Sequence, residues 1–284
     1  LDDRVVITCS GTEMSSTISV SSNDDMMRLI YKPDCRVVEI TDELYKRCQI
    51  LFLNHSSFSI ALKDHDSNNL FHYLLYCLML RYITISEEGV RQAGLTQVFF
   101  DALYKKFNID FECFASGFGA STNHVCSLFY DIEQHFGSYG NFFDMTPISG
   151  FYQCSPPLDA LITTQAMEYV MKVLEKDKNE YALGFLCMIP CWDFETVKAE
   201  GTSGRMEMYE DFPIYYQLKN NKFLLYNLNV INKKIAYYQY QGKSAMLGVF
   251  HSPHMIVLGN DKFKKEFDKE KMDKLMNVFI KSNF

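Results

Sequence analysis

Two short segments carry residue types suited to group transfer onto a nitrogen. The first is Ser155-Pro156-Pro157-Leu158, which closes the apolar run Phe151–Cys154. Two prolines fix φ and remove two backbone donors, so the carbonyls around them are left to accept hydrogen bonds. A serine hydroxyl beside such a carbonyl can hold the two N–H bonds of an exocyclic amine and aim its lone pair at an electrophile. The same prolines equally suit the first turn of a following helix, where a missing N–H costs nothing. The second segment is Glu112-Cys113-Phe114-Ala115-Ser116-Gly117-Phe118-Gly119. Glycine just past a strand lets the backbone approach a ligand closely, and a helix that follows offers free N–H groups. A bare Gly-x-Gly is common, and it also describes an ordinary strand-to-helix turn.

Both segments need strands to end them and helices to follow them. From about residue 110 onward the pattern alternates accordingly. Phe111–Ala115, Phe151–Cys154 and Tyr181–Ile189 read as buried strands, and Thr122–Phe136 and Leu158–Glu175 have helical spacing. Leu247–Phe250 and His254–Leu258 flank Ser252-Pro253 as two strands at a tight turn, and Asp261–Lys281 reads as one charged terminal helix. Alternation of this kind predicts an α/β fold with a mostly parallel sheet, whose strand ends form a ligand crevice. Upstream, Arg4–Thr8, Thr17–Val20 and Arg36–Ile40 are short β-like runs. Thr41 is placed to cap a helix bearing Leu44, Cys48 and Leu51, Leu70–Tyr82 is apolar nearly all round, and Thr96–Phe107 is a further helix.

Bulk properties narrow the classes. Hydrophobic residues at 48% and aromatics at 15% of 284 residues support a sizeable core without disulfides. The nine cysteines are spaced singly with no Cys-x-x-Cys, the usage of a reduced, intracellular protein. The longest apolar run, Leu70–Ile85, is broken by His72, Arg81 and Thr84, so no membrane span is expected. Neither a basic nor an apolar leader region is visible after Leu1, and a sequence without an initiator Met reads as a trimmed chain. A net charge of −7 argues against capture of nucleic acid by global electrostatics and leaves room for a basic protein partner. The local basic clusters are Lys233-Lys234 and Lys262-Lys264-Lys265, places for phosphate contacts or simply solvated faces. His251 and His254 have the spacing of a metal pair, but Pro253 separates them and no third ligand is near, so no metal is expected.

Taken together, several segments resemble a known family. Phe111-Glu112-Cys113-Phe114-Ala115-Ser116, Phe136-Gly137-Ser138-Tyr139-Gly140, Asp144-Met145-Thr146-Pro147-Ile148-Ser149-Gly150 and Ser155-Pro156-Pro157 follow the order and spacing of the phosphorylated-CTD-interacting-factor family, cap-specific adenosine-N6 methyltransferases. Gly94-Leu95 through Phe107, Ile189-Pro190-Cys191-Trp192 and His254–Asp261 are similar to flanking family segments, so the resemblance spans roughly residues 70–265. It implies a Rossmann-like methyltransferase core over residues 94–284 and an N-terminal mixed α+β and helical subdomain over residues 1–93. It implies S-adenosylmethionine as cofactor, no metal, and the 5′ end of capped mRNA as partner, with N6 of the cap-adjacent 2′-O-methyladenosine as the methylated atom. Glu112, Ala115, Ser116, Gly117 and Asp144 would surround the cofactor. Ser155, Pro156, Pro157 and Leu158 would form the amine-binding loop, and Phe151 and Trp192 would bound the base.

The chain departs from the family at both loops. The family reads Asn-Pro-Pro-Phe where this chain has Ser155-Pro156-Pro157-Leu158, so a shorter acceptor replaces the amide. A base-stacking ring worth roughly 1–3 kcal/mol is lost with it. After Ser116 the family's Pro-Leu-Asn is replaced by Gly117-Phe118-Gly119. These departures define a second expectation, a catalytically degenerate scaffold on the same fold that binds RNA or protein.

Overall fold

The computed structural model describes residues 18–23, 25–57, 64–85, 92–122, 124–157, 159–190, 213–229, 234–240, 245–251 and 253–281. They fold into two compact units. One comprises the described residues up to Gln92 with Phe129–Gly137 and the strand ends at Tyr240 and Ala245, and the other comprises the remainder. The expected strand Arg4–Thr8 lies outside the described residues.

In the first unit, β1 (Ile18–Asn23), β2 (Met26–Tyr31) and β3 (Arg36–Thr41) form an antiparallel meander. Thr41 ends β3 and caps α1 (Asp42–His55), its hydroxyl accepting from the Leu44 amide at 3.3 Å. Helix α2 (Asp64–Ile85) supplies Phe71, Leu75 and Leu78 to a core shared with Leu29, Ile40, Cys48 and Phe52. The polar residues of α2 tie down the segment after Phe129. Arg81 grips Asp131 with two 2.6 Å hydrogen bonds, and the Tyr82 hydroxyl lies 3.1 Å from both oxygens of the buried Glu133 carboxylate. One short helix, α4 (Tyr130–Glu133), and a 3-10 turn, Gln134–Phe136, occupy that segment.

The second unit holds a six-stranded mixed sheet, the α/β arrangement expected. Its strands are β5 (Phe111–Glu112), β6 (His124–Val125), β7 (Gly150–Cys154), β8 (Leu183–Pro190), β9 (Leu224–Asn229) and β12 (Pro253–Gly259), in the order β6-β5-β7-β8-β12-β9. The first four run parallel, and β12 is antiparallel to both β8 and β9. An isolated parallel bridge from Val125 to Ser138 extends the edge beyond β6. Helices α3 (Gln97–Phe107), α5 (Ala160–Lys176), α6 (Pro213–Lys219), α7 (Asp261–Glu266) and α8 (Lys269–Lys281) complete this unit. A further three-stranded sheet pairs β4 (Gln92–Leu95), β10 (Lys234–Tyr240) and β11 (Ala245–His251) in the order β11-β10-β4.

Three expectations are corrected here. The predicted helix Thr122–Phe136 is a strand, a loop and one short turn of helix, because Val125 is drawn into parallel pairing with Glu112 and the Cys126 amide bonds to the Glu112 carbonyl at 2.9 Å. The strands flanking Ser252 do not form a hairpin, since β11 and β12 belong to different sheets. The terminal helix is two helices. Phe267 is extended and Asp268 caps the second, accepting from the Lys271 amide at 2.9 Å.

Alternation along β7 sends its residues to two different cores. Phe151 joins Phe99, Leu103, Met255, Phe263 and Phe279 on one face, and Cys154 joins Phe142, Met167, Val170 and Phe185 on the other. At the start of β8 the buried Asn260 side chain is fully used. Its amide donates to Asp177 and to the Tyr181 carbonyl, both at 2.7 Å, while its oxygen accepts from Leu183 and Phe263. That knot lays the Phe263 ring across Gly184 and Gly259, which are register partners in β8 and β12.

Two outcomes follow from this packing. A Cβ at Gly184 would sit 2.5 Å from the Phe263 ring. Gly184→Ala should therefore destabilise the chain by about 1–3 kcal/mol in denaturant unfolding, and adding Phe263→Leu should recover part of the loss. In the first unit, burial lowers the His72 imidazole from its ordinary value of 6.5 to about 4, and Nε2 lies 2.6 Å from the Tyr45 hydroxyl. The unfolded chain takes up this proton first. The contribution of neutral His72 is thus complete above about pH 6.5 and lost as pH falls toward about 4. His72→Gln keeps a polar partner for Tyr45 but has no proton to gain, so the fall in its urea midpoint across that window should be shallower than in the unsubstituted chain.

Candidate functional site

The parallel part of the sheet reverses its direction of growth at β5, which has β6 on one side and β7 on the other. Loops leaving the carboxyl ends of two strands that flank such a point diverge and leave a crevice. Here those two loops are the segments singled out by their chemistry. Glu112 is the register partner of Gln153, and the Cys113 amide donates to the Gln153 carbonyl at 2.8 Å. Glu112–Gly119 and Ser155–Asp159 therefore leave adjacent strands side by side.

The loop after β5 is wound on itself. The Ser116 hydroxyl accepts from the Phe118 and Gly119 amides, both at 3.2 Å, and its carbonyl accepts from Gly119 and Ala120. The Glu112 carboxylate, 4% exposed, accepts from the Ser121 amide at 2.6 Å and from the Thr122 amide and hydroxyl at 2.9 and 3.1 Å. Ser116, Gly117 and Phe118 are buried, while Ala115 and Gly119 are half-buried. The polar atoms of Glu112 and Ser116 thus hold the loop's shape, and Ala115 lies on its accessible side.

Asp144 closes the wall next to this loop. It ends the 3-10 turn Phe142–Asp144, begun by Asn141, whose side chain accepts from the Phe143 amide at 3.1 Å. Phe114 packs edge-on against Phe142 and Phe143 at 5.3 and 5.8 Å, Cys126 Sγ lies 3.8 Å from Met145 Sδ, and the Ala115 amide bonds to the Cys126 carbonyl. The Tyr169 hydroxyl of α5 donates to the Met145 carbonyl. Asp144 itself is exposed.

On the neighbouring loop Ser155 is half-buried, Pro156 buried and Pro157 exposed. The Pro157 carbonyl is used internally, accepting from the Asp159 amide at 2.7 Å and the Thr163 hydroxyl at 3.3 Å. Asp159 then caps α5 through the Ile162 amide at 2.9 Å. The prolines therefore both shape the strand end and lead into the helix. Leu158 and Trp192 lie outside the described residues. Phe151 is not brought to this loop. It stands four residues upstream on β7, about 13 Å away along an extended strand. There it is enclosed by Phe107, Phe263 and Phe267 at 6.0, 4.7 and 6.3 Å.

Three features escape linear reading. Gln153 is 2% exposed, and its side-chain amide donates to the Ser155 hydroxyl oxygen. The only signal for it in the chain is a lone polar residue two positions before Ser155 in an apolar strand. Cys113 just past β5, Cys154 of β7 and Cys187 of β8, widely separated in the chain, stand side by side, with Cys154 in hydrogen-bonding contact with the other two. Burial pushes the Cys154 thiol well up, and the Cys154 contact followed by burial does the same for Cys187, so both stay protonated and pack as small apolar groups. His254 is buried with Nε2 at 2.5 Å from the Tyr215 hydroxyl, and no metal-binding group occurs among the described residues. The Lys262–Lys265 cluster follows Gly259, the partner of Gly184 at the start of β8, and so lies at the end of the sheet opposite Ser155.

The sequence model of the family described as "Phosphorylated CTD interacting factor 1 WW domain" matches residues 42–205, a span that starts at α1 and includes both loops. The chain belongs to this family. Over 123 residues it is 32% identical to the mRNA (2'-O-methyladenosine-N(6)-)-methyltransferase of Mus musculus and 31% identical to that of Homo sapiens. The matched stretch is 42% of this chain and 17% of each relative's length. No helix among the described residues is long and apolar enough to cross a membrane.

The internal role of Glu112 is open to direct measurement. Glu112→Ala would strand the Ser121 and Thr122 amides, the Thr122 hydroxyl keeping the His124 carbonyl as its acceptor at 3.0 Å, and should lower unfolding stability by about 1–3 kcal/mol. An unchanged denaturation midpoint would show that the loop does not depend on this carboxylate.

Proposed function

We propose that residues 94–284 form a Rossmann-like methyltransferase core, with residues 1–93 as a mixed and helical subdomain. On this reading the core binds S-adenosylmethionine and methylates N6 of adenosine in RNA, at the cap-adjacent 2′-O-methyladenosine of mRNA. The observation that carries the reading is the juxtaposition of the Glu112–Gly119 and Ser155–Pro157 loops at the switch point, held by the Cys113–Gln153 backbone hydrogen bond. The family membership and the names of the relatives support the substrate class.

The residues at the strand ends suit such a cofactor in part. Ala115 on the accessible side of its loop and the exposed Asp144 would hold it, while Glu112 and Ser116 would keep the loop in shape and Gly117 would keep its path tight. Bound there, the cofactor would supply a methyl group on a good leaving group. The chain's own task is then placement. Ser155 Oγ and the Pro156 carbonyl would accept the two N–H bonds of the amine and fix where its lone pair points. Trp192 would bound the base. No metal or covalent intermediate enters this scheme.

A second reading, a degenerate scaffold, is favoured by one specific feature: the polar side chains of the cofactor loop are already satisfied within it. Calorimetric titration with S-adenosylhomocysteine separates the two. Micromolar binding is expected, together with methyl transfer to RNA beginning with capped 2′-O-methyladenosine. Ser155→Ala should reduce that transfer at least about tenfold, the loss of one well-placed hydrogen bond, while RNA binding persists. A folded chain that does not bind S-adenosylhomocysteine would establish the scaffold reading instead.

A further inference from the structure

We propose that Gln153 is a positioning residue for Ser155, an inference that rests on reading Ser155–Pro157 as the amine-binding loop. Gln153 lies in the middle of the parallel sheet, 2% exposed, on a strand whose other residues are aromatic, glycine or thiol. A primary amide buried there is unfavourable unless its groups are hydrogen-bonded. Its side chain reaches forward to the next residue on the same side of the strand path, and its N–H donates to Ser155 Oγ. Its backbone carbonyl is meanwhile held by the Cys113 amide from β5. One residue thus fixes the Ser155 oxygen and joins it to the strand that carries the other loop.

The chemistry explains why such a residue is needed. The family's asparagine presents a planar amide oxygen with no proton. A serine hydroxyl turns about two bonds and carries a proton that, aimed at the amine, would oppose it. The Gln153 N–H occupies one lone pair of Ser155 Oγ, which fixes the oxygen and leaves one lone pair for a substrate N–H. With the Pro156 carbonyl, two acceptors then face the two N–H bonds of an aromatic amine. Gln153 touches no substrate and acts only through Ser155.

The test is made on the full chain, with two readouts. In the nuclear magnetic resonance spectrum, a Gln153 side-chain amide proton should be displaced downfield of the exposed glutamine amides and should shift in Ser155→Ala. Ser155 is half-buried, so that variant leaves the core intact. In methyl transfer to adenosine-containing RNA, Gln153→Met should lower kcat on the order of tenfold with the RNA KM unchanged, and lower it no further in the Ser155→Ala background. A resonance that does not move, or a Gln153→Met loss that adds in full to that of Ser155→Ala, overturns the proposal. The resonance needs no change at the buried position, so it decides even where Gln153→Met fails to fold. A moving resonance in a chain without methyl transfer would overturn the methyltransferase reading and leave the positioning of Ser155 standing.

Discussion

The hydrogen bond from the Cys113 amide to the Gln153 carbonyl continues the parallel pairing of β5 with β7 one residue past the end of β5. Parallel strands leave their loops at the same end of a sheet, so this pairing alone decides that the Gly-rich and Pro-Pro loops are neighbours. The other strand relations build outward from it. β6 joins β5 on one side, β8 joins β7 on the other, and β12 closes the parallel set in the opposite direction. Loss of this pairing would leave two unrelated loops, each of a common type.

The same sheet separates chemistry from bulk. At the carboxyl ends of β5 and β7 the polar residues spend their hydrogen bonds on loop shape: Glu112 on Ser121 and Thr122, Ser116 on Phe118 and Gly119, and Pro157 on Asp159. At the other end, Phe107, Phe151, Phe263 and Phe267 stack around the start of β7, and Gly184 and Gly259 lie beneath the Phe263 ring. The buried thiols of Cys113, Cys154 and Cys187 form a row within the core that also holds Met167 and Val170 of α5. A larger side chain in that row would crowd that packing.

This division also bears on how RNA would be held. The Lys262–Lys265 cluster sits at the aromatic end of the sheet, remote from Ser155, so phosphate contacts near the loop must come from elsewhere. With a net charge of −7 the chain has little long-range attraction for RNA, so on the proposed reading recognition at the loop would rest on short-range hydrogen bonds and stacking.

Much of the fold was legible in the chain itself. The Thr41 cap, the apolar helix Leu70–Tyr82, the strands ending at Cys154 and near Ile189, and the amphipathic helix Leu158–Glu175 all follow from local periodicity and capping, although the polar stretch Asp64–Asn69, which reads as a loop, is the first part of α2. The order and spacing of several segments together, from Phe111 to Pro157, also indicated the family. Where the sequence misled, non-local pairing overrode local spacing. Residues 122–136 have helical periodicity, yet Val125 is held by β5, and Phe151 has the ring of a base-binding wall, yet its place near the start of β7 buries it in the aromatic core away from Ser155. The sequence by itself determined which residues offer suitable groups for the proposed chemistry: Ser155 and its prolines by their type, Glu112 and Asp144 by the family resemblance. Only the tertiary structure decided their use. It turned Glu112 and Ser116 inward, put Gln153 behind Ser155, and gathered three distant cysteines into one row. The cysteine row, like the meeting of the two loops, depends on which strand lies beside which, and that is settled by burial of both sheet faces together, not by any one segment.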